Sequence, residues 1–321
     1  MNSTLRTCVV ALVLASGPSL TPAAVWAQTS GAPATSTQTP SPQAPVQRAF
    51  PTPEAAADTL TQALRGNDDK TIAAILGAGW RDFVPGSQAD EDRQRASFLK
   101  SWDEEHKIVT TGDKAVVQVG KTGFAMPIPL IKEAAGWRFD VAAGRKAIQA
   151  RYIGRNELHA VQTLLAIGDA ERDYAAQDPM KTGSPAYARR LLSSPGLKDG
   201  LYWPAAPGQP QSPLGALVAH AQPDVKEGGG YYGYHFRLLY GQGPDAPGGA
   251  YSYLVNGRMI GGFAAIAWPV SYGDTGVMTF IVSFSGQVYE QDLGPDTAQR
   301  AGNIAVFNPD SKWQKSDMTP P

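Results

Sequence analysis

Between Phe50 and Trp313 the spacing of apolar residues switches twice from helical to alternating. That double switch restricts the chain to helices packed on antiparallel sheets. In the first block, Thr52-Pro53-Glu54 opens a helix: Thr can cap it, Pro suits the first turn, and Glu complements the dipole. Ala55, Ala56, Leu60 and Leu64 form its stripe, and Gly66-Asn67 breaks it. Asp68 or Asp69 starts a second helix with Ile72, Ile75 and Leu76, ending near Gly77, and a third covers Glu91 to Trp102. Strands are then expected over Ile108 to Thr110, Ala115 to Val119, Phe124 to Leu130 and Trp137 to Val141, with Pro127 and Pro129 marking an edge or a bulge.

The second block opens with a long helix, roughly Arg155 to Ala176, with Asn156 as a possible cap. Leu158, Val161, Leu164, Leu165, Ile167 and Tyr174 form its apolar face, and Asp178-Pro179 ends it. A Gly- and Pro-rich stretch from Gly183 to Gly215 reads as loop. Strands follow over Tyr231 to Tyr240, Tyr251 to Val255, Phe263 to Trp268, Val277 to Phe284 and Gln287 to Asp292, with Ser285-Gly286 as a two-residue hairpin turn. The fold class is therefore α+β in two domains, residues 50–146 and 147–313. Three helices followed by a meander resemble the cone of the nuclear transport factor 2-like superfamily. One long helix followed by a meander resembles a type IV pilin headgroup, without the apolar half-helix that anchors a true pilin.

Upstream of both blocks, residues 1–27 read as a cleaved signal peptide. Arg6 is the only charge there, an apolar run goes from Cys8 to about Ala15, and Val25 and Ala27 suit a cut after Ala27. The run is far shorter than the roughly 20 residues of a membrane span. Cys8 lies inside that run, which disfavours a lipoprotein. Residues 28–49 are a Pro/Ser/Thr-rich tether with little to bury, and residues 314–321 are a tail. Cleavage leaves 27 basic and 29 acidic residues, a net charge of −2, and no Cys. Thiol catalysis and metal thiolates are then excluded, and nothing draws nucleic acid. The expected location is periplasmic or secreted.

The search for chemistry yields little. There is no Gly-x-Ser-x-Gly elbow, and His106, His159, His220 and His235 show no metal-ligand spacing, so no metal or cofactor is implied. Gly228-Gly-Gly230 and Gly261-Gly262 read as hinges. Asp140, Glu157 and Asp274 are the carboxylates that could serve glycan hydrolysis; their plain reading is capping and ion pairing with Arg138, Arg151 or Arg155. Tyr232, Tyr234, His235, Arg237, Tyr251 and Tyr253 are the candidate binding residues, because exposed aromatics on a sheet can stack on a sugar or a protein. Ordinary strand propensity explains the same residues. The loop Gly241 to Gly249 exceeds a tight turn and is a candidate recognition loop.

Several segments carry a family resemblance: Pro127-Ile-Pro-Leu-Ile-Lys132, Gly136-Trp-Arg-Phe-Asp140, Ile153-Gly-Arg-Asn-Glu-Leu158, Tyr231-Tyr-Gly-Tyr-His-Phe-Arg237, Tyr253-Leu-Val-Asn-Gly-Arg-Met259 and Gly276-Val-Met-Thr-Phe280. Over Phe50 to Asp310 the chain resembles a bacterial family of exported proteins, domain of unknown function 2950. The resemblance implies a Gram-negative envelope protein and supplies no catalytic residues. Three functional readings stand open. The first is a non-catalytic protein that binds an envelope protein or glycan. The second is a hydrolase using carboxylates at the domain junction. The third is an accessory of a pilus or secretion apparatus.

Overall fold

The computed structural model describes residues 47–83, 87–219, 221 and 230–318. The expected signal peptide, nearly all of the expected tether, His220, Gly228, Gly229 and residues 319–321 lie outside the described residues.

The first block gives α1 (Pro53–Arg65), α2 (Asp69–Leu76), a single 3-10 turn at Trp80–Phe83 and α3 (Gln88–Glu104). The Thr52 hydroxyl accepts the Ala55 amide and the Asp68 carboxylate accepts the Thr71 amide, so both expected caps form. A reciprocal capping box between Ser87 and Asp90 starts α3 three residues before the expected Glu91. Five strands follow: β1 (His106–Thr111), β2 (Lys114–Val119), β3 (Phe124–Ala125), β4 (Leu130–Glu133) and β5 (Gly136–Phe139). They form one antiparallel sheet in the order β1-β2-β4-β5, with β3 also paired to β2. The strand expected over Phe124 to Leu130 is split. Pro127 and Pro129 interrupt the pairing because neither can donate to a ladder. Phe50, Leu60, Ile72, Ile75, Trp80, Val117, Leu130 and Phe139 belong to the core enclosed by this block.

α4 (Val141–Gln177) begins fourteen residues before the expected Arg155. The cap is Asp140, whose carboxylate accepts the Ala143 amide at 3.0 Å, and not Asn156. Gly144 lies inside the helix, where it crosses the β3–β4 segment. A Cβ at that position would come within 2.8 Å of Ile128 Cγ1 and 3.2 Å of Ile128 Cβ. The division expected at residue 146 thus falls inside one continuous helix. Ile148 packs on the first core, and from Ala160 onward the helix packs into a second.

Beyond α4 come α5 (Ala216–Ala219), β6 (Tyr234–Leu239), β7 (Gly241–Gln242), β8 (Tyr251–Ser252), β9 (Leu254–Val255), β10 (Arg258–Met259), β11 (Ala264–Pro269), β12 (Met278–Ser283), β13 (Val288–Asp292), α6 (Thr297–Gly302) and β14 (Gln314–Lys315). The main sheet is antiparallel in the order β14-β13-β12-β11-β6, and β7–β8 and β9–β10 are separate ribbons. The connection from β12 to β13 is longer than the expected two-residue turn. Val282 pairs with Val288, the Gly286 amide donates to Ser283, and Gly286 takes φ 79°. The tail expected from residue 314 starts instead as β14, because Trp313 and Met318 pack against the second core. No described helix is long and apolar enough to cross a membrane.

Candidate functional site

The stripes of the first block do not meet completely. Leu60 and Leu64 of α1, Ile72 and Leu76 of α2, Trp80, Phe98 of α3, Val119 of β2 and Ile128 surround a cavity of about 210 Å³. Phe83, Phe124, Met126, Pro127 and Ile148 complete its apolar lining, and its polar lining is Glu91, Gln94 and Arg95. The volume lies between that of an apolar cavity that accepts benzene, about 150 Å³, and the roughly 300 Å³ at which drug-sized pockets begin.

The polar corner is built by α3. Glu91 and Arg95 are one turn apart, and the Arg95 Nη2 donates to Glu91 Oε1 at 2.6 Å. Glu91 is only 7% exposed. The Nε of Arg81 stands 3.4 Å from its other oxygen, and Arg81 also holds Asp69 at 2.5 Å. Arg95 Nη1 donates to Asn67 Oδ1. The Arg95 Nε–H is buried and has no acceptor among the described residues. Buried polar atoms are almost always satisfied, so this donor, enclosed behind the Glu91–Arg95 pair, is an exception.

A second cavity, open and about 610 Å³, lies where α4 passes from the first core to the second. It shares Phe83 and Ile148 with the first, and Asp82, Arg145, Lys146 and Asp274 face it. Arg145 is taken up by Asp82 at 3.2 Å and by the Gly79 carbonyl.

A family model described as a protein of unknown function (DUF2950) matches residues 47–316. The chain belongs to this family. No curated protein and no solved structure matches it. In this DUF2950 protein the match covers both cores and the whole of α4. It starts at Gln47, whose side chain donates to the Phe139 carbonyl at 2.9 Å, and ends at Ser316, whose amide donates to Val288.

Residues singled out from the sequence are dispersed in the DUF2950 structure. Asp140 and Glu157 do not form a catalytic pair. They are 17 residues apart on or beside one helix, about 25 Å at 1.5 Å per residue. Asp140 is a cap, and Glu157 Oε1 accepts the amides of Val277 and Met278 at 2.9 and 3.0 Å. Asp274 accepts from the Ser271 hydroxyl at 2.8 Å. The expected arginine partners are not used; Arg138, for example, holds Glu133.

The six aromatic and polar candidates do not share one face either. Tyr234 and Tyr253 are fully buried, so they cannot belong to an exposed binding surface. The alternation in β6 points Tyr234, Phe236 and Leu238 into the core. Tyr234 donates to the Met278 carbonyl and Tyr253 to Gln242 Oε1, both at 3.0 Å, and burial raises both phenols above their usual range. Tyr232 and Tyr251 are exposed. Tyr232 precedes β6 in a turn with φ 48°, and its ring stacks on His159 at 4.0 Å. His235 and Arg237 lie on the opposite face of β6 to Tyr234, as the alternation requires. Burial lowers the pKa of His235. Arg237 donates to the Ala301 carbonyl at the end of α6 and to the Ile304 carbonyl just beyond it, at 2.9 and 2.8 Å. The Gly241 to Gly249 loop is held from within: Gln242 donates to the Pro247 and Gly249 carbonyls.

Sequence reasoning missed the cavity, since its lining comes from seven separate segments. The Glu91–Arg95 spacing was the one visible signal. It also missed Glu171, a fully buried carboxyl on α4.

Proposed function

We propose that this DUF2950 protein is an exported, non-catalytic envelope protein that binds a small, largely apolar molecule in the cavity of its first core. The observation that carries this reading is the 210 Å³ apolar cavity with the Glu91–Arg95 pair on its wall. Apolar concavities with a few convergent polar groups are the usual form of small-molecule sites. Three helices preceding a sheet around this cavity support the likeness of the first block to the nuclear transport factor 2 cone. The residue 1–27 leader supports periplasmic or secreted location, and N-terminal mass analysis of the secreted or periplasmic protein is expected to give Gln28.

The hydrolase reading is not carried forward, because Asp140 and Glu157 stand about 25 Å apart along α4. The test of the binding reading uses the neutral dye N-phenyl-1-naphthylamine, with Trp80 in the cavity wall as reporter. Wild type is expected to bind it with quenching of tryptophan emission. Val119→Phe, which fills the cavity, is expected to abolish binding while keeping its circular dichroism. Equal binding by both proteins would place the dye elsewhere and overturn the reading.

A further inference from the structure

Between Asp140 and Asp169 the charges of α4 are one-sided. Arg145, Lys146, Arg151 and Arg155 meet a single carboxylate, Glu157, which is buried and occupied by two backbone amides. Arg145 is paired with Asp82, whereas Arg151 and Arg155 have no acidic partner among the described residues. Arg151, Arg155 and His159 follow one another at four-residue steps, so they share one face of the helix over about 12 Å. Each one meets an exposed ring. Arg151 lies over Phe124 at 5.1 Å and donates to the Ala125 carbonyl at 3.0 Å. Arg155 lies over Tyr152 at 5.7 Å, and His159 stacks on Tyr232 at 4.0 Å. Basic side chains and rings therefore form one continuous row along α4.

We propose that this row is a docking surface for a bilayer rich in anionic phospholipid. Unpaired guanidiniums complement phosphodiester groups. Arginine stems and aromatic rings suit the boundary between headgroups and acyl chains. An acidic protein would instead be anchored by side chains seated in pockets. Arg151, Tyr152, Arg155 and Tyr232 line neither of the two cavities described above. One face of each ring is already taken by its basic neighbour, which leaves a sugar less to stack on. The proposal does not depend on what the cavity of the first core binds.

The experiment is sedimentation of the protein with two kinds of vesicle. One is phosphatidylcholine alone, and the other is an equimolar mixture of phosphatidylcholine and phosphatidylglycerol. Binding is expected on the mixed vesicles, at least about ten-fold tighter than on phosphatidylcholine, and added salt is expected to weaken it. Each cation at an anionic surface contributes about five-fold, so Arg151→Gln/Arg155→Gln is expected to bind about 25-fold more weakly with unchanged circular dichroism. Lys312→Gln/Lys315→Gln makes the same charge change at β14, the edge of the second sheet opposite β6. It is expected to lose about two-fold or less, because distant exposed charges are screened. Equal binding to both vesicles, or unchanged binding by the arginine variant, overturns the proposal. Equal losses in the two double variants also overturn it, since net charge and not the row would be responsible. No binding to either vesicle overturns it as well; an acidic envelope protein captured by wild type and lost in the arginine variant would then assign the row to a protein partner.

Discussion

Glu171 accepts the backbone N–H of Ala188 at 2.7 Å through one carboxyl oxygen, and its other oxygen is buried without a partner among the described residues. The contact ties the C-terminal part of α4 to the irregular segment that follows it. Burial raises the carboxyl well above its usual pKa, and the single amide bond only partly opposes this. The native state therefore favours the neutral form.

A pH dependence of stability follows from that shift. Below the usual carboxyl range both native and unfolded chains are protonated at Glu171, and its contribution is fully present. As pH rises toward the raised native value, the unfolded chain ionises first and stability is lost. Glu171→Gln has no proton to lose. Its melting temperature relative to wild type is expected to rise between pH 4 and pH 8, with a gap of order 1 kcal/mol at the upper end. A gap equal at both pH values would refute the assignment.

Glu157 is expected to behave as a structural clamp between α4 and the start of β12. Glu157→Ala removes the acceptor of two amides at once and is expected to cost about 2–4 kcal/mol in urea denaturation. Glu157→Gln keeps an acceptor oxygen and is expected to cost less than half as much.

Gly144 sets two effects against each other. Alanine gains up to about 1 kcal/mol of helix propensity. However, its Cβ would meet Cγ1, Cγ2 and Cβ of Ile128, and no rotamer change moves a Cβ. Overpacking costs about 1–3 kcal/mol, so Gly144→Ala is expected to destabilise wild type. In an Ile128→Ala background the clash is gone and the same change is expected to stabilise. A double-mutant cycle in chemical denaturation reads this reversal of sign.

Arg237 satisfies the Ala301 carbonyl at the end of α6 and the Ile304 carbonyl just beyond it, where a cation also complements the helix dipole. Arg237→Met is expected to cost about 1–3 kcal/mol. Amide exchange at Thr297–Gly302 is expected to accelerate more than exchange in β11 or β12, and uniform acceleration would show that the bond does not act locally.

Much of the architecture was written locally. Thr52 and Asp68 each carry a capping side chain next to a helical stripe, so α1 and α2 start where the sequence places them. In β6 the period of two fixes Tyr234 and Phe236 on one face and His235 and Arg237 on the other, because successive strand side chains point oppositely. Alternation cannot say what covers each face. Tyr234 and Tyr253 read as binding residues until the packing buried them, and Arg237 acquired its role from α6, more than 60 residues later in the chain.

The sequence by itself thus determined the α+β class, the starts of α1 and α2, the strand parity and the family, because caps, periods and motifs act over a few residues. Only the tertiary structure decided that Asp140 rather than Asn156 begins α4. It also decided that Gly144 is a close contact with Ile128, that Glu157 holds a strand rather than a substrate, and that seven segments leave a cavity beside Arg95. Each of these depends on which surfaces meet across long sequence separations, where close packing and the satisfaction of buried polar groups choose among residues that look alike along the chain.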